Sequence, residues 1–332
     1  MNASAGIPYF KELLMIKYIA QRIFAMAITL LIIITVGFMT IRLMPGSIYT
    51  DDSNTTIEQR KALEAKYYLD KPIYYQYFMF MKNLITKGDW GTSLKMYVGA
   101  PVWTVLKTKI PVSMYNNIYA LLISLPLGII IGILAAVRKN TSVDYLASFM
   151  VVVFISVPSF VFATLLQYIF AFKLGMFDII YNPGKSGIFK LHNLTLPIIA
   201  LALSPIARVT RYLRAELAET INSDFMLLAQ AKGLTRWQAT VRHGLRNSLI
   251  PLVNIIVPMF THILGGSLVI ETIFSIPGMG GLMVTSINTS DYPMTLAVLI
   301  FYSVIMLITV LIVDLIYGII DPRIRIGGGK IE

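Results

Sequence analysis

Apolar residues in this chain gather into runs longer than a water-soluble domain needs. Six of them lie at approximately 20–44, 113–137, 145–172, 194–217, 248–274 and 293–319. Each meets the roughly 20 residues required to cross a ~30 Å hydrocarbon layer. The fourth turns polar early, because its purely apolar part ends near Ala207 and Arg208, Arg211 and Arg214 follow. The pattern predicts an all-α membrane protein of six transmembrane helices. Lys11, Lys17 and Arg22 precede the first run, but the stretch Ile23 to Ile41 continues apolar without a small-x-small cleavage site. That first helix is therefore expected to be an anchor rather than a removed signal.

The polar intervals divide the chain further. Residues 1–19 form an N-terminal segment, 20–44 the first helix and 45–112 a long loop. Residues 113–319 form a core of five helices interrupted by a polar segment at 218–247, and 320–332 form a tail. Lysine and arginine placement sets the orientation. With the N-terminus inside, Arg138, Lys139, Arg208, Arg211, Arg214, Lys232, Arg236, Arg242, Arg246, Arg323, Arg325 and Lys330 all fall on the cytoplasmic side. Segment 45–112 carries nine lysines and arginines on the outside, but loops longer than about 60 residues translocate largely regardless of charge. Both termini are expected in the cytoplasm.

The long loop has local order of its own. Thr55-Thr56-Ile57-Glu58 reads as a capping box opening a helix to about Tyr68. Asp70 and Pro72 then open a second helix, Ile73 to Ile85, followed by a turn at Gly88-Asp89-Trp90-Gly91. Its mixture of tyrosines and lysines suits a headgroup interface. A docking platform for an external partner and a simple lid on the bundle both fit.

The polar segment Asp224 to Pro251 is the longest basic stretch in the second half of the chain. Ala229, Ala231 and Gly233 are small residues that would let a short helix sit close to a partner. Gly233 is placed to end that helix in a left-handed conformation, and Thr235 to cap the next one, Arg236 to Asn247, with Pro251 at the entry to the fifth span. Arginines here also satisfy the positive-inside rule, so an ordinary juxtamembrane loop remains a second reading.

Composition excludes several functions. The chain is 56% hydrophobic with 14% charged residues, and its net charge of +11 is spread between apolar blocks, which fits a membrane surface rather than nucleic acid. It has no cysteine, hence no disulfide, thiolate metal site or cysteine nucleophile. Gly184-Lys185-Ser186 and Gly329-Lys330 have isoleucines, Ile179 and Ile324, where a phosphate loop needs its first glycine. His192, His243 and His262 fall in different segments without metal spacing. No enzyme activity and no cofactor are expected on this chain. Within the spans, Glu216 and Glu219 are expected to pair with Arg208, Arg211 and Arg214. Asn254 and His262, eight residues apart on one side of the fifth span, and Glu271 near its outer end, are candidates to line a pore; packed core positions are the alternative. Gly128, Gly132 and Ala136 recur every four residues, a pattern that serves close helix packing either within the bundle or at a subunit interface.

The segment Ala231-Lys232-Gly233, Arg242-His243, Arg246-Asn247 resembles the cytoplasmic loop of ABC importer permeases of the oligopeptide/dipeptide/nickel family. Ala229 stands where the older Glu-Ala-Ala form of that loop has glutamate. The resemblance extends over nearly the whole chain. It includes Met44-Pro45-Gly46, Gly88-Asp89-Trp90-Gly91, Val157-Pro158-Ser159-Phe160, Leu196-Pro197, Gly265-Gly266, Glu271-Thr272-Ile273-Phe274, Pro277-Gly278-Met279-Gly280, Asp291-Tyr292-Pro293 and Asp321-Pro322-Arg323-Ile324-Arg325.

The resemblance implies the type I ABC importer permease fold in a bacterial plasma membrane, with a structured extracytoplasmic loop after the first helix. It implies a second homologous permease, two ATP-binding subunits that carry ATP and magnesium, and an extracytoplasmic substrate-binding protein. Leu228, Ala229, Ala231, Lys232, Gly233, Arg242 and His243 would couple the ATPases to the bundle. Oligopeptides or dipeptides are the implied substrates, with nickel or a metallophore as the alternative within the family. An ion-coupled secondary transporter is the alternative outside it, and that class often shows inverted repeats that are not evident here.

Overall fold

The computed structural model describes residues 6–43, 61, 65, 68, 70–184, 188–259 and 268–320. They are mostly helical, and the only bridge of β type among them joins Thr92 and Pro101. Among the described residues, four helices are long and apolar enough to cross a membrane: Tyr18–Leu43, Val102–Val137, His192–Thr220 and Tyr292–Leu315. A fifth candidate is a bent pair. The expected single span 145–172 is broken into Ser142–Ser156 and Ser159–Lys173 at an angle of 101°. Pro158 causes the break: its ring disfavours helical geometry at the residue before it, and Val157 accordingly turns extended at φ −89°, ψ 125°. Of the expected span 248–274, residues 260–267 lie outside the described residues, as does most of the helix expected at 57–68.

The chain divides into two compact units, one made of 1–111, 282–311 and 323–332, the other of 112–281 and 312–322. In the first unit, α1 (Gly6–Leu43) receives α2 (Ile73–Lys87) on its last turns. Tyr77, Phe80, Met81 and Leu84 of α2 pack with Ile34 and Phe38 of α1 and with Leu296 and Ile300 of the last helix. The hydroxyls of Thr35 and Tyr77 share a hydrogen bond of 2.6 Å. The expected capping role of Asp70 does not hold: Pro72 occupies the N-cap, and Asp70 pairs with Lys71 Nζ at 2.9 Å. Gly88 ends α2 at φ +61°, and the Asp89 carboxylate then accepts the Gly91 N–H at 2.9 Å to close the turn.

Helix α3 runs Val102–Val137, beginning eleven residues before the apolar run that announced it. The added turns are amphipathic. Val102, Val105 and Leu106 are buried while Lys107 stays exposed, a helical spacing too polar on one side to register as a span.

The second unit is built around α6 (Ile188–Thr220), with α4 (Ser142–Ser156), α5 (Ser159–Leu166, continued by a π-helical turn Gln167–Lys173) and α9 (Leu245–Met259) packed against it. Gly128 and Gly132 of α3 face α6 so closely that an added Cβ at Gly128 would lie 2.7 Å from Val209 Cβ, and one at Gly132 3.1 Å from Leu213 Cβ. Ala136 is buried in the same cluster as Val209 and Leu213. The small-residue repeat therefore serves packing inside this chain. The expected ion pairs of Glu216 and Glu219 are absent among the described residues, and Arg214 reaches across to Asp144 of α4 instead.

Candidate functional site

The segment after α6 folds as two short helical pieces held tightly together. Helix α7 (Asp224–Ala231) begins after Ser223 and ends at Lys232. Gly233 has φ +90°, a conformation open to glycine at little cost. Its N–H donates to Gln230 O at 2.9 Å and the N–H of Leu234 to Ala229 O at 3.3 Å, the paired bonds of a Schellman stop. Leu234 folds back on Met226, Ala229 and Ala239, completing the apolar clasp that such a stop carries.

Thr235 then opens α8 (Arg236–Ala239) with a full capping box: its hydroxyl accepts the Gln238 N–H at 3.2 Å, and the Gln238 side chain accepts the Thr235 N–H at 3.0 Å. The helix does not stop near Asn247 as expected. It passes through a π-helical turn, Thr240–Gly244, directly into α9, so that Pro251 lies inside a helix. Residues Arg236 to Met259 form one continuous helical run. Gly244 lets this run approach closely: its Cβ would meet Leu217 Cδ1 at 3.3 Å and the Met226 sulfur at 3.6 Å. Met226 is thus wedged between α7, the end of α6 and the π turn.

The exposed side of this structure is apolar and cationic together. Phe225, Leu227, Leu228, Trp237 and Val241 are large hydrophobic side chains at the surface, interleaved with exposed Lys232, Arg236, Arg242 and Arg246. Leu228, Ala231, Lys232, Gly233, Arg242 and His243 are exposed as a docking surface requires. Ala229 is the exception. It is buried against Met226 and Ala239, so it holds α7 down rather than presenting it. The sequence reading missed Phe225, Leu227, Trp237 and Val241; a tryptophan within a run of arginines was the signal that could have found them.

The other candidates lie elsewhere. Asn254 is on α9, and His262 lies outside the described residues. Glu271, on α10 (Leu268–Ile273), a candidate either to line a pore or to pack in the core, is 1% exposed. Its Oε1 accepts the Ser113 hydroxyl at 2.6 Å, and its Oε2 accepts the N–H of Gly280 at 2.7 Å and of Gly281 at 3.3 Å. The Ser113 oxygen in turn accepts the Met279 N–H at 2.8 Å. These bonds satisfy the start of α11 (Met279–Asn288), where orphan N–H groups and the helix dipole favour a carboxylate. The glycines of Pro277-Gly278-Met279-Gly280 now have a reason. A Cβ at Gly278 would collide with the Glu271 carboxylate and the Ser113 hydroxyl, and one at Gly280 would lie 2.6 Å from Leu268 Cα.

Four or five helices long and apolar enough to cross a membrane, with a polar segment folded firmly at the end of one of them, define a multi-span helical membrane protein. The chain belongs to the family of binding-protein-dependent transport system inner membrane components, whose profile matches residues 128–326, with the N-terminal profile of the same systems matching 15–114. It is 40% identical over 312 residues to the dipeptide transport system permease protein DppB of Lactococcus lactis subsp. cremoris, covering 94% of this chain and 100% of that one. It is 39% identical to DppB of Bacillus subtilis, covering 94% and 99%. It is 36% identical to the oligopeptide transport system permease protein OppB of Haemophilus influenzae, covering 94% and 100%. The mixed apolar-cationic segment 224–251 thus lies in a membrane subunit of a transport system that works with a substrate-binding protein.

Proposed function

We propose that this chain is a pore-forming permease subunit of an ATP-driven importer that brings dipeptides or oligopeptides across the bacterial plasma membrane by alternating access. The observation that carries the substrate class is the similarity of 36–40% over 94% of the chain to permeases named for dipeptide and oligopeptide transport. In this reading a second homologous permease pairs with this six-helix subunit to complete the pore, two ATP-binding subunits dock from the cytoplasm, and an external binding protein delivers the peptide. Lysine and arginine placement supports an orientation with both termini and the 224–251 segment inside.

The geometry of that segment supports coupling to the ATPases. Exposed Leu227, Leu228 and Trp237 offer the apolar anchors of a docking surface, and Lys232, Arg236 and Arg242 offer its charged rim. The clasp around Met226 makes α7 and the 236–259 run move together, so force applied at Leu228 reaches α9 without a flexible joint. Asn254 and His262 are proposed to face the translocation pathway, and Glu271 to brace the turn behind it.

Cross-linking tests this reading. The chain has no cysteine, so a single thiol reports one position. In the assembled transporter, Leu228→Cys and Ala231→Cys should cross-link to an ATP-binding subunit, while Ala229→Cys, buried, should react slowly. Transport of labelled dipeptides should be lost when the chain is deleted. Purification without ATPase partners, or uptake driven by an ion gradient alone, would overturn the reading.

A further inference from the structure

Helix α2 is apolar on two sides. Its inner side, Tyr77, Phe80, Met81 and Leu84, is spent on α1 and α12 (Tyr292–Ile320). Its outer side carries Tyr74, Phe78 and Ile85, spaced i, i+4 and i+11 and therefore on one stripe of the helix. They are 74%, 61% and 73% exposed, high values for a tyrosine, a phenylalanine and an isoleucine. Lys82, four residues after Phe78, stands exposed beside that stripe. Nearby acids are already engaged: Asp70 with Lys71 and Asp89 with the Gly91 N–H. A stripe of this kind on a soluble surface would be an aggregation liability.

Its depth says what covers it. The α1 residues that α2 packs on are Ile34, Thr35, Phe38, Met39 and Ile41, and the span of α1 ends at Leu43. At a rise of 1.5 Å per residue these positions lie roughly 3–14 Å inside the end of the span. That is the level of the headgroup and upper acyl region, where interfacial helices bury an apolar face about 5–10 Å deep. At this level α1 also exposes apolar side chains, with Val36 and Leu43 58% and 69% exposed.

We infer that α2 is an interfacial helix lying in the membrane surface at the C-terminal end of α1, with Tyr74, Phe78 and Ile85 embedded among lipid chains and Lys82 holding an anionic phospholipid headgroup. Lys82 sits where its stem follows the apolar stripe and its amine reaches a phosphate. This assignment requires only that α1 spans the membrane, so it stands or falls apart from the peptide-import reading.

The test uses the assembled transporter in vesicles of phosphatidylglycerol and phosphatidylcholine, with other subunits free of exposed thiols. Phe78→Cys and Ile85→Cys are labelled with an environment-sensitive fluorophore. Nitroxides on the upper acyl carbons should quench both labels, and aqueous iodide should not. Quenching by iodide would place the stripe in water. Protection from both quenchers would place it under another protein, such as the external binding protein. Either result overturns the inference. Brominated phosphatidylglycerol should quench more than brominated phosphatidylcholine, and Lys82→Gln should cut that preference on the order of fivefold. Equal quenching by the two lipids in the unaltered protein would remove the headgroup part of the assignment.

Discussion

Arg214 grips Asp144 with two parallel hydrogen bonds, Nε to Oδ1 at 2.8 Å and Nη2 to Oδ2 at 2.7 Å, tying α6 to α4. The carboxylate is 1% exposed and also accepts the Asn140 N–H at 2.9 Å ahead of α4. Removing one partner of such a pair leaves a buried charge uncompensated, at a cost of about 3–5 kcal/mol. Arg214→Ala is therefore expected to lower the unfolding temperature in detergent strongly. Arg214→Lys, which keeps the charge and loses the fork, should fall between it and the unaltered protein. Equal melting of all three would refute the assignment.

Gly278 is expected to tolerate no side chain. A methyl group there meets the Glu271 carboxylate and the Ser113 hydroxyl, and overpacking of this kind costs about 1–3 kcal/mol. Ser113→Ala tests the same turn from the other direction. It leaves the Met279 N–H without its acceptor, at about 1–3 kcal/mol for a buried donor. Thermal unfolding of both variants checks the point.

Gly128 and Gly132 should rank differently. The Cβ of Gly128→Ala would fall 2.7 Å from Val209 Cβ and 3.1 Å from the Ile206 carbonyl, whereas the nearest approach at Gly132 is 3.1 Å. Gly128→Ala should destabilise more than Gly132→Ala. The reverse order in a melting series would mean that α3 and α6 pack in another register.

Asp291 organises the turn before α3. Its carboxylate accepts the Ser93 hydroxyl at 2.5 Å and the N–H groups of Lys95 at 3.1 Å and Met96 at 3.0 Å, all from a position at the start of α12. Asp291→Ala removes every one of these acceptors at once, while Asp291→Asn keeps one oxygen. Trypsin should cut after Lys95 much faster in the alanine variant, with the asparagine variant intermediate. Unchanged cleavage would show that the turn holds without the carboxylate.

Gly233 carries the bend between α7 and α8 at φ +90°. If the proposed coupling holds, Gly233→Asp is expected to insert and assemble normally while the partner subunits hydrolyse ATP without substrate movement, because a side chain enters the proposed docking surface and strains the stop. ATPase and uptake assays on reconstituted vesicles compare the two. Normal uptake would sink the coupling role of this segment.

Much of the local structure was legible in the chain. Gly233 and Thr235 were readable as stop and cap because both roles depend on a backbone angle and on one side chain three residues from its partner. Helix α2 was readable from Pro72 before it and the turn Gly88-Asp89-Trp90-Gly91 after it, although the cap expected of Asp70 does not form. The helix boundaries were less so. Hydropathy senses bilayer length, so it missed the amphipathic first turns of α3 and the uninterrupted passage from α8 into α9.

The apolar runs, the absence of cysteine, the turn glycines and the family motifs thus belonged to the sequence by itself, because each is a property of residues near one another in the chain. The partners of Arg214, Glu271 and Asp291, the inward turn of Ala229 and the second apolar stripe of α2 were decided only by the tertiary structure. Asp144 lies 70 residues from Arg214, Ser113 158 from Glu271 and Ser93 198 from Asp291. Which buried charge meets which donor is settled by helix packing, and local propensity carries no record of it.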